Sequence, residues 1–401
     1  MGGFRYLPRV LARQTATSRC FSATSVSKRE PLLFTPGPLT VSGPVKQAML
    51  VDYGSRDKLF LDAVGDVREA LLQVANVSKE QGYECVLMQG SGTAAVEAML
   101  GSAVPRDGKV LLVINGAYGH RQTAICKYAG IDHETLVFED SEPISVDEVL
   151  SALHSKHCSN VTSLSLVHHE TTAGVINPLE DIVRTVRSEF PEMQILVDSM
   201  SGFGAYDLDM TWGIDFAVSS ANKCIEGVPG FAYVLCELEA LKQSRGNARS
   251  LTMDIYDQWS NMEATGQFRY TPPTHAILAF KQALAEFHEE GGVEARKARY
   301  QANYEVLARE MQRMGFEFYV PEACRSYCIC TFKTPTHPNF HFQTFYNLLA
   351  EQGFVIYPGK LSKYDSFRIG IIGRLFPKDC EMLCLAVEKA CAQMKVPLPM
   401  A

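Results

Sequence analysis

Val218-Ser219-Ser220-Ala221-Asn222-Lys223 closes an apolar run on a lysine, and Ile195-Leu196-Val197-Asp198 closes another on an acid 25 positions earlier. Short apolar runs of this kind read as buried strands, and polar residues at their carboxyl ends mark where ligands bind an open α/β sheet. A lysine amine there can form a Schiff base with an aldehyde. A carboxylate on the neighbouring strand can keep a heteroaromatic nitrogen protonated, so that the ring accepts electrons. Together these are the two requirements of pyridoxal 5'-phosphate chemistry. The same residues also suit a loop lysine and a helix N-cap aspartate, so the pair needs support from the rest of the chain.

Working outward, apolar runs at 85–88, 110–114, 134–138, 163–167, 195–197, 216–219 and 231–235 alternate with helical patterns. This rhythm predicts an α/β fold with a mostly parallel seven-stranded sheet flanked by helices. Near Gly291-Gly292 the pattern changes to a long charged helix through Met314. Strands near 327–332 and 367–370 and a closing helix from Pro377 come after it. The expected organisation is a large domain over 30–290 and a smaller C-terminal α+β domain over 291–401. Residues 31–50 are expected to pack with the small domain or a partner subunit.

Composition excludes several function classes. The 401 residues are 46% hydrophobic, enough for a large core. The net charge of −7, with acids and bases interspersed, offers no basic patch for nucleic acid. No run approaches the roughly 18 apolar residues of a membrane span. The twelve cysteines form no Cys-x-x-Cys pair and no Cys/His pattern at zinc spacing, which fits a reducing compartment. Cys380, Cys384 and Cys391 recur at helical intervals, as small packed apolar groups would.

Residues 1–29 differ from the rest of the chain. Arg5, Arg9, Arg13, Arg19, Lys28 and Arg29 stand among Ser, Thr and Ala, with no acid before Glu30. That composition predicts a mitochondrial transit peptide and a matrix location. A basic tail carrying no address has the same composition.

Other motifs fall at strand ends. Gly90-Ser91-Gly92-Thr93-Ala94-Ala95 links a strand to a helix, where backbone N–H groups and two hydroxyls can hold a phosphate. It is neither a P-loop nor a dinucleotide fingerprint, since Gly-Lys-Ser/Thr and the third glycine are missing. An ordinary strand-to-helix turn would look the same. In Gly116-Ala117-Tyr118-Gly119-His120-Arg121, Tyr118 could lie flat on a planar cofactor or simply pack as a ring. His168-His169-Glu170-Thr171-Thr172-Ala173-Gly174 ends another strand with hydroxyls. The adjacent histidines invite a metal, but neighbouring strand residues diverge and no carboxylate pair accompanies them, so no metal is expected.

In this order the motifs resemble the class V aminotransferases, a family of fold-type I pyridoxal phosphate enzymes, over about residues 31–395. The resemblance includes Thr35-Pro36-Gly37-Pro38-Leu39-Thr40, the blocks at 90–93, 169–172, 197–201 and 219–223, and Gly227-Val228-Pro229-Gly230-Phe231. It extends to Thr271-Pro272-Pro273-Thr274-His275 and Phe367-Arg368-Ile369-Gly370.

The resemblance implies that Lys223 is the Schiff-base lysine, Asp198 the partner of the pyridine nitrogen and Tyr118 the stacking ring. Ser91, Gly92 and Thr93 would take the cofactor phosphate, with Asn222 assisting. Thr171 would lie near the ring, and Arg368 would hold the substrate's acidic group. It also implies a homodimer with active sites at the interface, Thr271 completing the neighbouring subunit's phosphate site. Asn222 and the block after Lys223 point to the branch that uses 2-aminoethylphosphonate and pyruvate, since alanine:glyoxylate and serine:pyruvate enzymes of the class have Gln before the lysine. Arg56 stands where bacterial members of that branch carry Trp, so it either adds an anion contact or alters donor choice. The alternatives are an alanine:glyoxylate or serine:pyruvate aminotransferase and a non-catalytic dimeric scaffold, the latter expected to have lost Lys223, Asp198 or Arg368.

Overall fold

The computed structural model describes residues 30–359, 361 and 365–400; the expected transit peptide lies outside the described residues. Seven strands make the central sheet: β1 (Tyr83–Gln89), β2 (Lys109–Ile114), β3 (Asp132–Val137), β4 (Val161–Val167), β5 (Gln194–Asp198), β6 (Phe216–Ser220) and β7 (Phe231–Glu237). Their order is β1-β7-β6-β5-β4-β2-β3. β7 is antiparallel to both neighbours and the remaining adjacent pairs are parallel.

The apolar runs form strands because both faces of the sheet are covered. Val110, Leu112 and Ile114 pack with Val96, Met99 and Leu100 of the helix Gly92–Ala103. Leu111 and Val113, pointing the other way, join Leu164, Leu166, Ile195 and Val197 beneath the helices Lys58–Val74 and Thr274–Glu290. A strand buried on both faces has no polar alternation, which explains its continuous apolar sequence. β3 is the exception in placement, expected at 134–138 and found at Asp132–Val137. It lies at the sheet edge with none of its residues buried, so hydrophobicity marks its ends poorly.

The helix Thr274–Glu290 stops at Gly291, whose φ of +115° is a left-handed cap, and the helix Gly292–Arg313 begins at once. Beyond it, Ile329–Lys333, Ser366–Gly370 and Tyr357–Pro358 form an antiparallel sheet, and Pro377–Gln393 closes the chain over a separate apolar cluster that includes Phe332, Phe367 and Leu383. The N-terminal segment touches two places. Leu32–Leu33 pairs in parallel with Phe354–Val355, and the short helix Gly43–Gln47 packs on Thr274–Glu290. Among the described residues no helix is long and apolar enough to cross a membrane.

Arg296 is 1% exposed and lies 2.9 Å from Glu290 and 3.3 Å from Glu226. Removing one member of a buried ion pair strands the other charge. Arg296→Ala is expected to lower unfolding free energy by about 3 kcal/mol in urea titrations, because Glu226 and Glu290 each keep Arg299 but lose a buried partner, and the Cys224 carbonyl loses its donor.

Candidate active site

All strands but β7 leave the sheet at the edge where β7 enters, so loops after β1, β2, β5 and β6 meet the start of β7 there. They enclose a cavity of about 400 Å³. The first loop contributes Ser91, Gly92 and Thr93. Ser91 is the N-cap of Gly92–Ala103, its Oγ accepting from Ala94 N at 3.3 Å, so the cavity faces a helix N-terminus. A methyl group on Gly92 would collide with Met200, which lies against this turn.

Tyr118 and Arg121 line the same cavity from the helix Ala117–Ala129. Its N-terminus is tied down by the loop after β4. Thr172 Oγ1 accepts from Ala117 N at 2.8 Å, and Glu170 Oε2 accepts from Tyr118 N at 3.2 Å and Gly119 N at 3.4 Å. Arg121 Nη1 donates to Thr93 Oγ1 at 3.0 Å, and its guanidinium carbon lies 4.7 Å from the centre of the Tyr118 ring.

Asp198, Asn222 and Lys223 form the floor. Asp198 is buried, and its Oδ1 accepts from Met200 N at 3.0 Å. Burial pushes its pKa up to about 6, and the negative charge of Glu170 adds to that rise. The Lys223 amine donates to the Pro36 carbonyl. Its proton affinity is lowered first by burial, and repulsion from Arg368 acts in the same direction. Arg368 is itself buried, donating Nη1 to Thr171 O at 2.9 Å and Nε to Pro358 O at 3.2 Å, and burial weakens its hold on its proton. His169 Nδ1 meets Ser201 Oγ at 3.0 Å, while its buried Nε2 has no protein partner among the described residues. Among the described residues no group of three or more His, Cys, Asp or Glu could hold a metal.

A family model described as Aminotransferase class-V matches residues 52–366. The chain belongs to the class V aminotransferases. Its relatives include the 2-aminoethylphosphonate–pyruvate transaminase of Vibrio vulnificus (strain YJ016), 46% identical over 90% of this chain and 98% of that protein. The protein of the same name from Syntrophobacter fumaroxidans is 45% identical over 90% of this chain and 96% of its own. Two solved structures share the fold. Ureidoglycine–glyoxylate aminotransferase from Bacillus subtilis has a TM-score of 0.83 at 21% identity, covering 93% of this chain and 96% of its own. Alanine–glyoxylate aminotransferase from Nostoc sp. has a TM-score of 0.82 at 25% identity, covering 90% and 95%. The fold-type I α/β architecture inferred from the sequence is therefore that of this enzyme family.

The mitochondrial reading of residues 1–29 is corrected by the same comparison. The named relatives of this aminotransferase come from bacteria, so neither a transit peptide nor a matrix location is supported.

Of the residues singled out from sequence, Ser91, Gly92, Thr93, Tyr118, Asp198, Asn222 and Lys223 line one cavity of the aminotransferase. Thr171 is buried behind it, with Arg368 bonded to its carbonyl. Thr271 and Arg56 are exposed and outside it. Arg121 and Glu170 escape a reading of the sequence alone. Arg121 is findable from its position three residues after Tyr118, which puts both on one helix face. Glu170 stands inside the block 168–174, where no local pattern sets it apart from its neighbours.

Between about pH 4, where Asp198 would titrate in the unfolded chain, and about pH 6, its folded value, the native protein binds the extra proton. Burial of the carboxylate therefore costs stability above about pH 6 and nothing below about pH 4. Asp198→Asn keeps the Met200 contact and removes the charge. Without cofactor it should unfold about 2 to 3 kcal/mol harder than the parent at pH 7.5, with that advantage gone near pH 4, as read from urea titrations at both pH values.

Proposed function

We propose that this aminotransferase uses pyridoxal 5'-phosphate to move the amino group of 2-aminoethylphosphonate to pyruvate, releasing phosphonoacetaldehyde and L-alanine in a ping-pong sequence. The observation that carries the reading is the meeting of Lys223 and Asp198 in one cavity, with Arg368, unpaired with any carboxylate among the described residues, acting on Lys223 from behind it. The names of the relatives, at 41–46% identity, support the substrate pair.

The residues fit the cofactor. A cavity of about 400 Å³ is of small-ligand size. One end is a helix N-terminus with hydroxyls at Ser91 and Thr93, suited to a phosphate, and Asn222 lines the same cavity. Asp198 would hold a proton on a ring nitrogen, Tyr118 would cover a ring face and Thr171 would lie near the ring. When bound, the cofactor supplies an electrophilic carbon that captures amines and a ring that accepts electrons.

The chain's own groups do the rest. Burial and the Arg368 charge favour the neutral amine of Lys223, the form that can attack a carbonyl and accept a proton from the amine-bearing carbon of the donor. Asp198 stays ionised near pH 7, as its role requires, because its value of about 6 lies below that pH. 2-Aminoethylphosphonate has no α-carboxylate, so orientation must come from its phosphonate. The planar fork of Arg368 suits a phosphonate and the carboxylate of pyruvate in turn.

The same proposal gives 30–290 the cofactor and 291–401 the substrate arginine, supported by their separate apolar clusters. It includes a homodimer. Thr271 and Arg56 are exposed and outside their own cavity, where they could serve a second copy, and Leu50, Leu59 and Leu251 leave apolar surface for it.

The test mixes the purified full chain with pyridoxal phosphate, pyruvate and 2-aminoethylphosphonate and measures alanine. Serine and alanine, with glyoxylate, are the comparison donors. Transfer from the phosphonate is expected; transfer confined to serine or alanine would move the chain to the glyoxylate branch. Lys223→Ala should lose about 10⁴-fold or more in turnover with an unchanged circular dichroism spectrum. Arg368→Lys should raise KM for the phosphonate about 10- to 100-fold, since a point charge replaces a fork.

A further inference from the structure

Arg121 stands apart from the other arginines that frame the site. Arg296 and Arg299 are paired with Glu226 and Glu290 at 2.6–3.3 Å. Arg368 is held by the carbonyls of Thr171 and Pro358 and is absent from the residues that line the cavity. Arg121 lines the cavity, donates to Thr93 Oγ1 at 3.0 Å, and has no carboxylate in ion-pair range among the described residues. Half-buried at the cavity wall, its guanidinium keeps donors free for an anion that enters.

We propose that Arg121 is the fixed cation of the cofactor-phosphate cradle, joining Thr93 and the N-terminus of Gly92–Ala103 on the phosphate of pyridoxal phosphate. The inference rests on the cofactor reading above and adds a residue to it. Charge supports it. A phosphate monoester carries about −1.5 to −2 at neutral pH, whereas a helix N-terminus offers roughly half a positive charge. The Ser91 hydroxyl, which accepts from Ala94 N, still has its O–H to donate but adds no charge. A guanidinium at Thr93 supplies the missing charge and up to two further donors.

Geometry supports it as well. Arg121 lies one turn after Tyr118 on a helix whose first three N–H groups are fixed by Thr172 and Glu170. One rigid element therefore presents both the ring that would cover the cofactor and the cation that would hold its phosphate. Stacking of the guanidinium on Tyr118, 4.7 Å from the ring centre, limits the positions it can take.

The experiment separates phosphate recognition from recognition of the ring. The full chain, freed of cofactor by dialysis, is titrated with pyridoxal phosphate and with pyridoxal, which lacks the phosphate, and binding is followed by protein fluorescence. Arg121→Gln should weaken pyridoxal phosphate about 10- to 100-fold and leave pyridoxal unchanged, and Arg121→Lys should recover part of the loss. Inorganic phosphate should raise the thermal midpoint of the parent and not that of Arg121→Gln. Equal losses for the two ligands, or none for pyridoxal phosphate, would overturn the assignment while the parent's preference for the phosphorylated ligand left the cofactor reading standing. A parent with no such preference would sink both. If the glutamine variant does not fold, Arg121→Met is read in the same way: unchanged pyridoxal phosphate affinity, or an equal loss for pyridoxal, would overturn the proposal.

Discussion

Glu226 sits three residues beyond Lys223 in the left-handed backbone region, at φ +66°, and accepts hydrogen bonds from Arg299 Nη2 and Tyr300 Oη, both at 2.7 Å. Its own N–H donates to Lys223 O at 2.7 Å, and Arg296 donates to the Cys224 carbonyl. The turn that presents the lysine is thus shaped from outside, by one side of the helix Gly292–Arg313. The same helix fixes the chain after Arg368. Tyr300 Oη accepts from Gly373 N at 3.1 Å, and Arg299 and Asn303 donate to carbonyls of Gly373, Ile371 and Leu375. An apolar contact of equal area would leave these backbones free to slide, whereas a buried carboxylate with two directed donors sets their positions.

That frame brings like charges close together. Arg368 acts repulsively on Lys223, and Glu170 on Asp198, the latter partly offset by Arg121. Burial raises Asp198 and Glu170 and lowers Lys223 and Arg368, so each of these four groups around the cavity is biased toward its neutral form. For Lys223 the bias favours the neutral amine, the form that can accept a proton. The chain as a whole carries −7, yet the cavity and its rear wall gather Lys223, Arg121 and Arg368. Net charge therefore says little about the charge a substrate meets.

Much of this was legible in the sequence, for a physical reason. Parallel strands covered on both faces leave continuous apolar runs, and the residues that end them project into one cleft, so Asp198 and Lys223 announced the cavity. The direction of β7 was not legible, because a strand buried on both faces has the same composition whichever way it runs. The two-residue ladder at Leu32–Leu33 was too short to leave a pattern. Glu170 and Arg121 were missed because a carboxylate or guanidinium in a polar stretch looks the same whether it faces water or caps a buried helix. Their roles depend on which loops meet, and only tertiary structure supplies that.

The segment around Gly37 shows how a distant piece of chain becomes part of the site. Gly370 N donates to Phe34 O at 3.0 Å, and a methyl group on Gly370 would run into the Thr35 carbonyl, so residues 34–36 lie flat against the strand that carries Arg368. On the other side the Pro36 carbonyl accepts from the Lys223 amine. Gly37 has φ +124°, and a Cβ there would stand 2.9 Å from Lys223 Nζ. Glycine is required twice over, for the backbone conformation and for the space the amine occupies. This wall touches both groups that would handle the donor, the amine and the strand bearing the arginine. The shape of the cavity is therefore set as much by residues near the start of the described chain as by the loop that bears the lysine.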